Sequence, residues 1–501
     1  MTTFTFAHIS DLHFSSGAYI GGNHKHSIRR LLGIESLLRG KKFDRVIVTG
    51  DISNAGDEES LLRANTWLFE RLKVDADHST GLELDPASTL IVPGNHDAFN
   101  SKGHYETHIK LWQSSLENYN RLFPLHTYLH PETIRYDWLT KDGVSAFLVG
   151  ADTCYLGDQQ PEGVPGYEYA LKGIPDMARG DLSLEQSSQL LSCFELGTRG
   201  KLLLPHGEGY IPAEAFSSSL KVFIAHHYLF EAPGQRIKPH LQLKARRSVF
   251  TNLASCEIDL YLCGHKHQAS VWPTTYAQNL PKRERTRYLL NVFRRLVGLT
   301  GLPVQVRDKK GRKMDRAQIL MLALISKMLP IVASEPGESE AINSAYIKKV
   351  FEVLRQGLDD PGRFEKEMHR LLKSYGIPQD DVLAPGELRE LALQIKGTLS
   401  TQERAQLKKV SRYIEKAAKN LTCRPFVQVV CGSSAKATGS TEKERSVNIY
   451  EVEIHKGGFL VEAQKYLWDS VAEEFGPNPV CRQHFFPLER HSHSAPASLG
   501  R

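Results

Sequence analysis

The sequence predicts an α/β fold carrying a large all-helical insertion, and three observations predict it. Short β-branched runs alternate with amphipathic helices over the first half of the chain, five of those runs end in residues able to hold a metal, and between about 275 and 421 the texture changes to long amphipathic helices before strands resume. At 501 residues the chain has room for a large core and at least one further unit.

Phe4 to Ile9 reads as the first strand and ends in Ser10-Asp11-Leu12-His13. Ser27 to Arg39 carries Ile28, Leu31, Leu32, Leu37 and Leu38 as a helical stripe that would cover one face of a sheet. Arg45 to Thr49 is a second strand, ending in Gly50-Asp51, and Asp57 to Val74 a second helix with acidic residues in its first turn. The run beginning at Leu90 delivers Gly94-Asn95-His96-Asp97 to a loop at its carboxyl end, where α/β folds keep their chemistry. A helix is expected near Tyr105 to Leu122.

Thr133 to Leu139 and Val144 to Gly150, joined through Lys141-Asp142-Gly143, form a hairpin signal. Residues 155 to 182 are rich in Gly and Pro and read as a long surface loop. Ser183 to Leu196 is helical. Leu220 to Ala225 is a strand ending in His226-His227, Lys244 to Ala254 a helix, and Ile258 to Leu262 a strand ending in Cys263-Gly264-His265-Lys266-His267. After the helical stretch, Phe426 to Cys431, Val447 to Ile454 and Phe459 to Leu467 regain β character, so the helices interrupt one β-rich domain. The expected division is a core at 1–274 and 422–488, a helical insertion at 275–421, and a disordered Ser/His-rich tail at 489–501.

Charge and cysteines narrow the class. A net charge of +6 is modest for this length and does not by itself argue for nucleic acid or a membrane. The seven cysteines are scattered without CxxC pairs, and the amino terminus lacks a basic region followed by an apolar stretch; both suggest a cytoplasmic protein with reduced thiols. The most apolar segment, Ile319 to Val332, falls short of the ~20 residues a membrane span needs.

Collected, the strand-end residues are Asp11, His13, Asp51, Asn95, His226, His265 and His267, with His96 and Asp97 beside them. Carboxylates, one amide oxygen and imidazoles suit Mn, Fe or Zn, with Mn favoured. Two divalent ions about 3.5–4 Å apart would activate water at neutral pH and clamp phosphate oxygens. His96 can transfer a proton, and Asp97 can fix an imidazole tautomer. His226 and His227 are adjacent, and side chains of neighbouring residues in an extended segment point opposite ways; one ligand is expected, and the choice falls on His226.

The order DxH, GD, GNHD, H and GHxH resembles the calcineurin-like metallophosphoesterases, over residues 4–269 and the resumed strands 424–468. The resemblance implies a four-layer αββα sandwich. It also implies that Asp11, His13 and His267 hold one metal, that Asn95, His226 and His265 hold another, and that Asp51 bridges both. His96 would contact the substrate phosphate and protonate the leaving group, with Asp97 orienting it.

Departures narrow the substrate: Gly50-Asp51-Ile52-Ser53-Asn54 is not the GDxVDRG of Ser/Thr protein phosphatases, and Asn54 stands where purple acid phosphatases carry tyrosine. The remaining resemblance is to the phosphodiesterase-like branch, acting on a small or nucleotide-type phosphodiester. A second reading is a nuclease holding DNA or RNA through the basic tract 281–316, and a third is a non-enzymatic scaffold that uses the insertion to bind a protein partner or to self-associate.

Overall fold

In the computed structural model of the chain, the residues described are 2–16, 24–75, 78–98, 117–126, 134–154, 180–205, 207–231, 242–243, 246–276, 305–307, 313–315, 424–435, 445–455, 458–478 and 482–487. Most of the loop expected at 155–182, the helices expected within 317–418, most of the basic tract and the tail fall outside them.

The first sheet is built from β1 (Thr2–Ile9), β2 (Arg45–Thr49) and β5 (Thr89–Val92), which run parallel, extended by β14 (Ser446–His455) antiparallel to β1, then β15 (Gly458–Asp469), β16 (Glu474–Pro477) and β17 (Arg482–Pro487). The second has the order β10-β13-β9-β8-β7-β6: Ser270–Thr275, Pro425–Val430, Leu260–Cys263, Leu220–Ile224, Val144–Ala151 and Ile134–Lys141. Its β7, β8, β9 and β13 are parallel. Strands from beyond residue 424 thus complete both sheets, β14 beside β1 and β13 beside β9.

Alternation along the strands explains the layering. Leu148, Val222 and Leu262 share a core cluster with Val48, Ile91 and Ile449 of the first sheet. The intervening Phe147 turns the other way, against Phe216 of α5 (Ala213–Ser218), which also meets Phe194 of α4 (Leu184–Thr198). A strand buried on both faces loses its polar alternation, as β8 shows with all five residues buried. α1 (His24–Leu38) and α2 (Glu58–Phe69) contribute Leu31, Ile34, Leu61 and Trp67 to the core, and a single turn, α3 (Asn95–Ala98), follows β5.

Local sequence accounts for the element ends. Asp57 caps α2 by accepting from Ser60 N at 3.0 Å, and Ser183 and Gln186 form a reciprocal capping box on α4. Asp142 and Gly143 both have positive φ, 54° and 76°, as a tight β6–β7 hairpin requires. α2 stops at Phe69, short of the expected Val74, because Leu72–Lys73 (β3) pairs with Ser79–Thr80 (β4) and the Trp67 indole donates to Thr80 Oγ1.

Within 275–421, where the sequence suggests helices alone, the described residues include an antiparallel pair, β11 (Gln305–Arg307) and β12 (Lys313–Asp315). Val306 faces Met314 in register between polar neighbours, a period of two that a helical reading overlooks. Cα packing divides the chain into two compact units. One is Met1–Val249, Cys256–Thr274 and Pro425–Arg490, and the other Phe250–Ser255, Thr275–Arg424 and His491–Arg501. Among the described residues no helix is long and apolar enough to cross a membrane.

Candidate metal centre

The carboxyl ends of β1, β2, β5, β8 and β9 converge, and the seven residues singled out as ligands meet there. Asp11, His13, Asp51 and His267 form one buried group of potential ligand atoms, all within 4.8 Å of one another. His13 Nε2 and His267 Nε2 face each other at 3.3 Å, and Asp11 Oδ1 lies 3.1 Å from His267 Nε2. Alongside, His226 Nε2 is 3.1 Å from Asn95 Oδ1 and 3.0 Å from His265 Nδ1. Asp51 stands between the two groups, with Oδ2 3.7 Å from His13 Nε2 and Oδ1 3.4 Å from His226 Nε2.

Backbone conformation is unusual at these positions. Asp11, His13, Asp51, His265 and His267 all have positive φ, between 50° and 67°. Each such residue costs on the order of 1–3 kcal/mol, and such strain collects where side chains must be aimed. The strands leave little room for alternatives: a Cβ on Gly94 would collide with the Asp51 backbone nitrogen and carboxylate, and one on Gly264 with the Ser10 hydroxyl. Glycine is therefore what lets the loops touch.

Hydrogen bonds lock the loops together. Asp11 N donates to Gly50 O, His13 N to Asp51 O, and Gly264 N to His226 O. His226 Nδ1 lies 2.7 Å from the Thr49 carbonyl, so that nitrogen carries a proton and Nε2 is the one turned to the site. His265 N donates to Asp11 Oδ2, joining the two sheets.

The atoms aimed inward fit cations. Asp11 Oδ1, Asp51 Oδ2 and His265 Nε2 are buried without a hydrogen-bond partner among the described residues, and unsatisfied oxygens beside facing imidazole nitrogens are what a divalent ion would occupy. Electrostatics agrees. Burial pushes Asp51 up, yet His226, His96 and His13 outweigh it and hold the carboxyl well below its usual range. Burial would lower His226, but Asp51 raises it to about 9, whereas burial and then His226 push His265 down to about 3. The buried carboxylates draw positive charge toward themselves.

His96 Nδ1 lies 2.9 Å from the Asn54 carbonyl, which fixes its tautomer and leaves Nε2 for a ligand. This corrects the expected role of Asp97. Its carboxylate instead accepts from Ser53 N and Oγ at 2.7 and 2.9 Å, Gly94 N at 2.8 Å and Ile52 N at 3.2 Å. Four donors already converge on Asp97 there, so it ties the second and third motif loops together. His227 departs from expectation too: although its Nδ1 pairs with Thr153 Oγ1 at 2.9 Å, its ring is 4.5 Å from that of His265, and it groups with His226 and His265. The chain bends after His226, so the two side chains are not opposed as they would be on a straight strand.

Sequence reading overlooked the braces. Ser433 Oγ donates to the Asp11 carbonyl and Ser434 N to Ser10 O, while Ser10 Oγ donates to Asp11 Oδ2 at 2.6 Å. Nothing local to Gly432-Ser433-Ser434 marks it; only the pairing of β13 with β9 brings it to Asp11.

The family model described as calcineurin-like phosphoesterase matches residues 4–269. No curated protein is matched by the chain. Among solved structures, GAP50, the anchor in the inner membrane complex of Plasmodium, is similar at 14% identity over 54% of this chain and 68% of its own, with a TM-score of 0.28. Purple acid phosphatase PPD1 from yellow lupin (Lupinus luteus) seeds is similar at 14% identity over 56% of this chain and 41% of its own, with a TM-score of 0.30.

Proposed function

Because the chain belongs to the calcineurin-like phosphoesterase family, whose members are metal-dependent phosphoester hydrolases, we propose that it hydrolyses a phosphodiester of small or nucleotide type at a dinuclear centre. The observation that carries this reading is Asp51, which turns one carboxylate oxygen to His13 and the other to His226. Asp11, His13 and His267 would hold one ion, Asn95, His226 and His265 the other, and Asp51 both. The oxygen and imidazole donors favour Mn, with Fe or Zn as alternatives. Bound there, such ions supply water activation and neutralise phosphate charge.

The chain's own groups do the rest. His96, with Nδ1–H held by the Asn54 carbonyl, would in its imidazolium form donate Nε2–H to a phosphate oxygen and pass that proton to the leaving alkoxide, becoming the neutral imidazole. Proton donation of this kind contributes about 10²–10⁴ in rate. Asp97 keeps Ser53 and Gly94 in place, and so keeps His96 within reach of Asp51, whose Oδ1 accepts from His96 N at 2.8 Å.

The diester preference is supported by the second motif, where Asn54 rather than an aromatic or charged residue borders the site. The five described cysteines are free thiols, four of them buried, which supports a reducing, cytoplasmic setting. Hydrolysis of an aryl phosphodiester with added Mn, compared with phosphomonoesters, cyclic nucleotides and polynucleotides, tests the reading and separates it from a nuclease.

A further inference from the structure

The residue between His265 and His267 is a lysine, and it is buried. Lys266 is 5% exposed, its ammonium pairs with Glu231 Oε2, and it lies over the Tyr228 ring, 5.5 Å from the centroid. The Tyr228 hydroxyl donates to the other Glu231 oxygen at 2.7 Å. Tyr228 and Glu231 both belong to the segment that follows His226. That segment is pinned from β13, where Gln428 Oε1 accepts from Leu229 N and Phe230 N while its amide donates to Phe230 O.

One ion pair therefore joins the loop carrying His226 to the loop carrying His265 and His267. It also settles a charge problem. A buried ammonium flanked in sequence by two imidazole ligands disfavours a cation on those ligands, unless a carboxylate neutralises it. We propose that Glu231 is a positioning residue of the metal centre: oriented by the Tyr228 hydroxyl, it cancels the charge that Lys266 places between the two histidine ligands in sequence. The inference rests on the metal-binding reading above and concerns residues outside the seven ligands.

Mn affinity and stoichiometry, measured by calorimetry on the full chain, test it. Glu231→Gln removes the carboxylate that the ammonium pairs with, and Mn affinity is expected to fall about 10–100-fold, a loss of the size that follows disturbance of the groups supporting a metal site. Glu231→Asp, which keeps the charge, is expected to recover most of that loss. The double variant Lys266→Met/Glu231→Gln removes both charges and should bind Mn within about threefold of wild type, a non-additivity that marks a coupled pair.

Wild-type affinity in Glu231→Gln, or equal weakness in Glu231→Gln and the double variant, overturns the proposal. Should Glu231→Gln not fold, the Asp and double variants decide: weak Mn binding in either one overturns it. Failure of the wild-type chain to take up two Mn would instead sink the metal-centre reading itself, so the two failures are distinguishable.

Discussion

Asp97 Oδ1 accepts from both the backbone N–H and the hydroxyl of Ser53, at 2.7 and 2.9 Å, so the acid of the third motif serves the second motif's loop. Burial, with Asp51 adding to it, raises the Asp97 carboxyl to about 6, and the surrounding donors restrain that rise. Asp97→Asn would place an NH2 group among donors with nothing to accept it. It is expected to cost roughly 2–4 kcal/mol in urea unfolding, as buried polar groups do when a charged partner is lost. His96→Ala keeps the backbone bond to Asp51 and should stay within about 1 kcal/mol of wild type, while kcat falls about 10²–10⁴. The contrast between the two variants separates holding the loop from handling the proton.

Gly94→Ala offers a steric test of the same contact. Its Cβ would run into the Asp51 backbone and carboxylate, so the two loops must part. Loss of Mn binding is expected together with a destabilisation on the order of 1–3 kcal/mol, typical of overpacking, read by calorimetry and thermal unfolding. Mn uptake at wild-type affinity would show that the loops do not need this approach.

Removing metal should loosen the whole chain. Two buried carboxylates and three imidazoles are gathered at strained backbone positions. A ligand that binds only the folded state adds about 2.7 kcal/mol per site at 100 times its Kd. Chelation is therefore expected to lower the melting temperature and Mn to restore it, whereas Asp51→Asn should respond weakly to either.

Acid should destabilise the fold through two buried histidines outside the centre. His8 sits between the Tyr450 hydroxyl and Thr49 Oγ1, both at 2.9 Å, and burial lowers it from 6.5 to about 3; burial likewise brings His126 to about 4. Above pH 6.5 both are neutral whether folded or not. Below it only the unfolded chain takes the proton, so stability falls by about 1.4 kcal/mol per pH unit per histidine, until the folded values are reached. His8→Gln should flatten the loss between pH 6.5 and 4 by one histidine's share, measured by urea unfolding across that range. An unchanged pH slope would mean that His8 is already charged when folded.

Much of this was legible before the structure because the parallel strands are short, apolar and punctuated. Arg45–Thr49 appears with the expected bounds, and each strand end delivers its Asp, Asn or His to one place. What escaped depends on tertiary placement. Asp97 next to His96 suggested a pair, but positive φ at Asp51 turns the second loop so that Ser53 reaches the carboxylate first. Ser433 and Ser434 look like an ordinary turn until β13 sets them beside Asp11. Lys266 carries no signal of its own in the sequence, and only the return of Glu231 gives it a partner.

The measurement that bears most directly on the account is steady-state hydrolysis of bis(4-nitrophenyl) phosphate as Mn is titrated into metal-free protein, followed with bound metal in the same samples. Turnover is expected to rise with occupancy, to level off at two Mn per chain, and to vanish in Asp51→Asn. Two Mn bound with no turnover of this or any other phosphoester, or turnover that survives Asp51→Asn, would contradict it.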